Sequence, residues 1–135
     1  MSETSSAIQD VEDAARGLVD AFSRFDRATY FASFDERASF TFYNSGVTFD
    51  DRASYERAWN EWVADGWRVL SCRSVDAHVR MLNDQTAIFT HEVFTTIGPV
   101  DAPTNLHERE TIVFSKGELG WTAVHEHLSP FPEQS

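Results

Sequence analysis

Two runs decide the reading of this chain: Leu106-His107-Glu108-Arg109-Glu110-Thr111-Ile112-Val113-Phe114 and Trp121-Thr122-Ala123-Val124-His125-Glu126-His127-Leu128-Ser129-Pro130. Both are rich in strand-forming residues, and Lys116-Gly117-Glu118-Leu119-Gly120 between them is a turn. They read as an antiparallel pair. Ser129-Pro130-Phe131-Pro132 stops the second strand, because proline cannot donate into a sheet. Side chains alternate across a strand, so His107, Arg109, Thr111 and Val113 share one face, and Trp121, Ala123, His125 and His127 share another.

Upstream, the chain continues as strand back to Trp67. Trp67 to Leu82, Thr86 to Ile97 and Asn105 to Ser115 are separated by Asn83-Asp84 and by a loop from Gly98 to Pro103. Before that the spacing is helical. Ile8, Val11, Ala15, Leu18, Phe22 and Phe25 fall on one face of a helix running to about Arg24. Asp26 caps a short second helix over Arg27 to Ser33. Ala38 to Tyr43 and Val47 to Phe49 form a hairpin around Asn44-Ser45-Gly46. Asp50 or Asp51 opens a third helix, bearing Tyr55, Trp59, Trp62 and Val63, that ends at Gly66. Helices placed before an antiparallel meander define an α+β domain. Residues 1–6 are polar and expected to fray, and 7–132 form one domain, with no linker or repeat.

The Arg-x-Thr strand (Arg109 to Thr111), the glycine turn, and the Trp-x-x-x-His-x-His-x-Ser strand (Trp121 to Ser129) resemble the two final strands of SnoaL-like domains of the nuclear transport factor 2-like superfamily. The element order upstream, with its tryptophan-bearing third helix, matches as well. The resemblance implies a cystatin-like cone: a curved antiparallel sheet closed over a pocket and wrapped around the N-terminal helices. It also implies a homodimer through the outer sheet face. Relatives include polyketide cyclases, ketosteroid isomerase and scytalone dehydratase.

The resemblance also turns the faces carrying His107, Arg109, His125 and His127 into the cone. An imidazole there suits general acid–base work, and a guanidinium suits an enolate or carboxylate. These four are the candidate catalytic residues. Tyr43, Trp59, Trp62, His91 and Trp121 are the candidate lining residues, although aromatics at helical spacing also pack as core. The first hairpin lacks the aspartate base of the steroid isomerases. Glu126 falls on the face opposite the two histidines and reads as a surface or interface residue. The pocket is thus expected to hold imidazole and guanidinium rather than paired carboxylates.

Three functions fit. One is cofactor-free isomerisation, cyclisation or dehydration of a small hydrophobic or carbonyl-containing molecule. The second is a binding or assembly module without catalysis. The third is a metal enzyme using His125 and His127 with a third ligand. The chain carries no phosphate loop, dinucleotide fingerprint or serine elbow. Its 135 residues hold 22 Asp and Glu against 11 Lys and Arg, a net charge of −11, which argues against nucleic acid and anionic membranes as partners. The single Cys72, the absence of a long apolar run and the polar start point to a cytoplasmic protein.

Overall fold

The computed structural model describes residues 3–132. Three helices, α1 (Glu3–Ser23), α2 (Arg27–Ala32) and α3 (Arg52–Ala64), pack on one six-stranded sheet. Its strands are β1 (Phe34–Phe42), β2 (Thr48–Phe49), β3 (Arg68–Asn83), β4 (Thr86–Gly98), β5 (Thr104–Gly117) and β6 (Gly120–Pro130), in the order β2-β1-β6-β5-β4-β3. The expected α+β cone is present, with two corrections. The sheet is mixed, because β1 runs parallel to β6. It is also open, with β2 and β3 as free edges rather than a closed wall. The expected frayed start is helical from Glu3, and residues 1–2 lie outside the described residues.

Local chemistry sets the elements. Val11, Ala15, Leu18 and Ala21 recur at three- and four-residue steps and are the buried stripe of α1. Asp26 caps α2 by accepting from the Thr29 amide, and Asp51 caps α3 by accepting from the Ser54 amide. Gly66, at φ +101°, ends α3. The Trp67 amide returns to the Trp62 carbonyl at 2.9 Å and the Gly66 amide to Val63 at 3.0 Å, a Schellman stop. That turn brings the Trp62 and Trp67 rings to 5.6 Å.

The core is aromatic. Trp59 is buried and stacks with Tyr30 at 5.3 Å and with Phe25 at 5.7 Å, while Phe31, Phe34, Phe40 and Tyr55 complete the cluster. Arg52 ties the helices to the sheet, its guanidinium donating to the carbonyls of Phe31 at 3.3 Å and Phe34 at 3.0 Å. Among the described residues no helix is long and apolar enough to cross a membrane.

Candidate active site

The inner face of the sheet is set by its apolar residues. On β5, Ile112 and Phe114 are buried, and strict alternation carries Glu110 and Glu108 to the same side. On β4 the buried set is Ala87, Phe89, His91, Val93 and Thr95. On β6 the alternation breaks. Val113 pairs with His125 and Phe114 with Ala123, so Val124 is an extra residue, a bulge. Ala123 and Glu126 therefore both face inward.

Between this face and the helices lies a cavity of about 570 Å³. Its walls are apolar, with Phe22, Phe42, Phe49, Trp62 and Trp67 among them. Exposed Asn44, Val47 and Glu61 line its mouth. At the buried end stand three carboxyls, Glu108 (2% exposed), Glu110 (9%) and Glu126 (4%).

Each carboxyl is held by a named donor. The Tyr43 hydroxyl donates to Glu108 Oε2 at 2.7 Å. The Tyr30 hydroxyl donates to Glu126 Oε1 at 3.1 Å and meets the Tyr55 hydroxyl at 2.9 Å. His91 sits opposite Glu110 in the ladder, and its Nε2 lies 2.6 Å from Glu110 Oε1. Ser74 Oγ, on the edge strand, lies 2.6 Å from His91 Nδ1. Burial lowers His91 to about 4. The ring is therefore neutral at neutral pH. It accepts from Ser74 at Nδ1 and donates from Nε2 to the Glu110 carboxylate.

Desolvation raises all three carboxyls. Glu126 rises furthest, well above the usual range, through burial first and then the Glu110 charge and their mutual hydrogen bond. Two buried carboxyls in contact cannot both ionise cheaply, so the pair holds on to a proton, and Glu126 is the more strongly raised member. Cys72 also lines the cavity, but burial pushes its thiol up to about 12, so it is no nucleophile at neutral pH.

The residues expected from the sequence are distributed differently. His107, Arg109, His125 and His127 do not line the cavity; they stand on the outer face of the sheet. His107 is stacked between Phe94 and Phe131, each at 4.2 Å, with Nε2 2.7 Å from Glu92. The Arg109 guanidinium lies 4.7 Å over the Phe131 ring. His125 Nδ1 meets Ser39 Oγ at 2.8 Å, and His127 is exposed. The physical reason is twofold. The apolar half of β5 sets the parity that carries Glu108 and Glu110 inward, and the Val124 bulge separates Ala123 from the two histidines.

Of the expected lining residues, Trp62 lines the cavity. Tyr43 and His91 do not, but each bonds a carboxyl that does. Trp59 belongs to the solid core, and Trp121 packs against the core away from the cavity. Glu126, read as a surface residue, is buried at the centre of the site. Among the described residues no three His, Cys, Asp or Glu side chains gather as a metal-binding group, so the His125–His127 pair lacks its third ligand.

A half-open α+β cone around an internal cavity is the architecture of the nuclear transport factor 2-like superfamily. Within it, the chain belongs to the SnoaL-like domain family, whose model matches residues 11–133. Solved structures of the same fold share little sequence. One, from Novosphingobium aromaticivorans and provisionally named an aromatic ring hydroxylase, is 16% identical with a TM-score of 0.82, over 96% of this chain and 92% of that one. A second, from Streptomyces avermitilis and provisionally named a dehydratase of the nuclear transport factor 2-like family, is 18% identical with a TM-score of 0.81, over 96% and 99%. The association domain of C. elegans CaMKII is 20% identical with a TM-score of 0.69, over 90% and 93%. No curated protein matches the chain.

Proposed function

We propose that the chain binds a small, largely apolar carbonyl compound and moves protons on it without a cofactor, as an isomerase, cyclase or dehydratase. The observation that carries this reading is the Glu110–Glu126 pair, two carboxyls holding one proton between them at the buried end of an apolar cavity. One member of such a pair is an acid and the other a base in the same site.

Glu126, oriented by Tyr30, gives its proton to the substrate carbonyl oxygen. Glu110 takes a proton from the adjacent carbon. The C–H electron pair becomes the enol double bond, and the carbonyl π pair becomes the new O–H bond. The pair then again holds one proton, now on Glu110. Returning it to a different carbon of a conjugated enol, while the enol hydroxyl hands its proton back to Glu126 and the carbonyl re-forms, completes an isomerisation. Giving it to a β-hydroxyl, which leaves as water while the enol pair forms the new C=C, the carbonyl re-forms and the enol proton returns to Glu126, completes a dehydration. The neutral His91 N–H stabilises the Glu110 charge between strokes, and Ser74 holds the imidazole in that tautomer. The apolar walls keep water out, which strengthens every interaction with the developing enolate.

Exchange of the α-hydrogens of 1-tetralone in heavy water, followed by NMR, tests this reading. The protein accelerates exchange above buffer, and Glu110→Gln and Glu126→Gln each reduce it at least roughly a hundredfold. Exchange no faster than in buffer, or undiminished in both variants, overturns it.

We also infer that the outer sheet face takes a second copy of the chain. The stacked Phe94, His107 and Phe131 and the near-neutral strand surfaces of β4 to β6 support this.

A further inference from the structure

On the reading that the cavity is a ligand site, its lining also constrains what the ligand is. Four carboxyls line it, Glu61 at the mouth and Glu108, Glu110 and Glu126 within, and no Lys, Arg or His does. An anion would have to be buried against these groups with no cation to pair it, which costs several kcal/mol on the order of the penalty for an unpaired buried charge.

The three inner carboxyls are not equally satisfied. Glu110 is closed off by His91 and Glu126, and Glu126 by Tyr30 and Glu110. Glu108 accepts from Tyr43 through Oε2 alone, and its Oε1 has no partner among the described residues. Yet Glu108 is 2% exposed and lines the cavity. Glu108 Oε1 is not among the sealed-off unpartnered polar atoms of the described residues, so it is open to the cavity, and a carboxylate oxygen open to a cavity calls for a donor on the occupant. The cavity lining includes the rings of Phe22, Phe42, Phe49, Trp62 and Trp67, and aromatic faces favour a cation over a neutral group of the same size. The chain's net charge of −11 raises the local concentration of cations.

We propose that the molecule this cavity takes is an apolar amine, its protonated nitrogen seated against Glu108 and its carbon frame against the aromatic walls. Glu108 and Glu110 are two residues apart on one strand face, about 7 Å. An amine on Glu108 thus sits about five bonds along an extended frame from a reacting carbon over Glu110. The amine is a specificity handle, separate from the proton transfer.

Three probes on one frame test it by calorimetry near neutral pH: 2-(1-naphthyl)ethylamine, 2-(1-naphthyl)ethanol and 1-naphthylacetate. The amine binds at least roughly tenfold tighter than the alcohol, and the acid does not bind. Glu108→Gln brings the amine to the level of the alcohol and leaves the alcohol unchanged. Ala58→Trp, which fills the cavity, removes both. The proposal is overturned by an acid or alcohol that binds as tightly as the amine, by an amine preference intact in Glu108→Gln, or by binding that survives Ala58→Trp. If Glu108→Gln does not fold, NMR of the Glu108 side-chain carbon decides instead: the amine moves it and the alcohol does not. Alcohol binding without amine preference overturns the amine alone and leaves the acid–base reading standing. No binding by any probe overturns both.

Discussion

Glu126 shows how far one side chain can depart from its sequence context. It stands between two histidines on β6, yet it is 4% exposed and bonded to Tyr30, while its neighbours face outward. Its retained proton makes a prediction about stability. The folded group titrates well above its ordinary 4.5. Its contribution to stability is therefore full below 4.5, declines as the pH rises from there, and is gone above the folded value. His91 acts on the other side. It is lowered from 6.5 to about 4, so its contribution is present above 6.5 and lost as the pH falls toward 4. Between pH 6.5 and the ordinary 9 of the Cys72 thiol, which burial also raises, only the carboxyl effect remains, and stability falls with pH by up to about 1.4 kcal/mol per unit for each such proton. Glu126→Gln keeps an acceptor for Tyr30 and a donor for Glu110 but has no proton to lose. Thermal unfolding against pH should show a flatter alkaline limb in this variant. An alkaline limb as steep as in the parent would contradict the assignment of the proton to Glu126.

At the scale of elements, much was legible and one feature was not. Element order and type follow from the spacing of Val11, Ala15 and Leu18, from the Asp26 and Asp51 caps, and from the glycine stops. The facing of the late strands differs from the expected one, although β5 carries the signal. Ile112 and Phe114 on one side against Thr111 and Val113 on the other already favoured the parity that buries Glu108 and Glu110. The Val124 bulge had no such signal, because an extra residue in a ladder is a pairing property of two strands. The Schellman stop after α3 has a separate consequence. A Cβ at Gly66 meets nothing within 4 Å, so Gly66→Ala costs only the strain of a left-handed backbone, about 1–2 kcal/mol. Urea unfolding followed by tryptophan fluorescence should show that loss, with a changed signal from Trp62 and Trp67. An unchanged midpoint would mean that the turn does not need its positive φ.

The whole molecule is a half-open cone in which β1, lying parallel against β6, extends the meander toward the hairpin at the cavity mouth. This parallel pairing joins Phe34–Phe42 to the last strand across most of the chain, and no local pattern announces it. The proposed dimer uses the outer sheet face. Light scattering at micromolar concentration should give twice the chain mass, and a monomer at all concentrations would remove the dimer. The proton transfer rests on a carboxyl pair that keeps one proton in an apolar cavity. The direct measurement is an NMR titration of the glutamate side-chain carbons in selectively labelled protein, with Glu126→Gln as the assignment control. One glutamate should still be protonated at neutral pH, its signal absent from the spectrum of the variant. Titration of every glutamate near the ordinary 4.5 would contradict it.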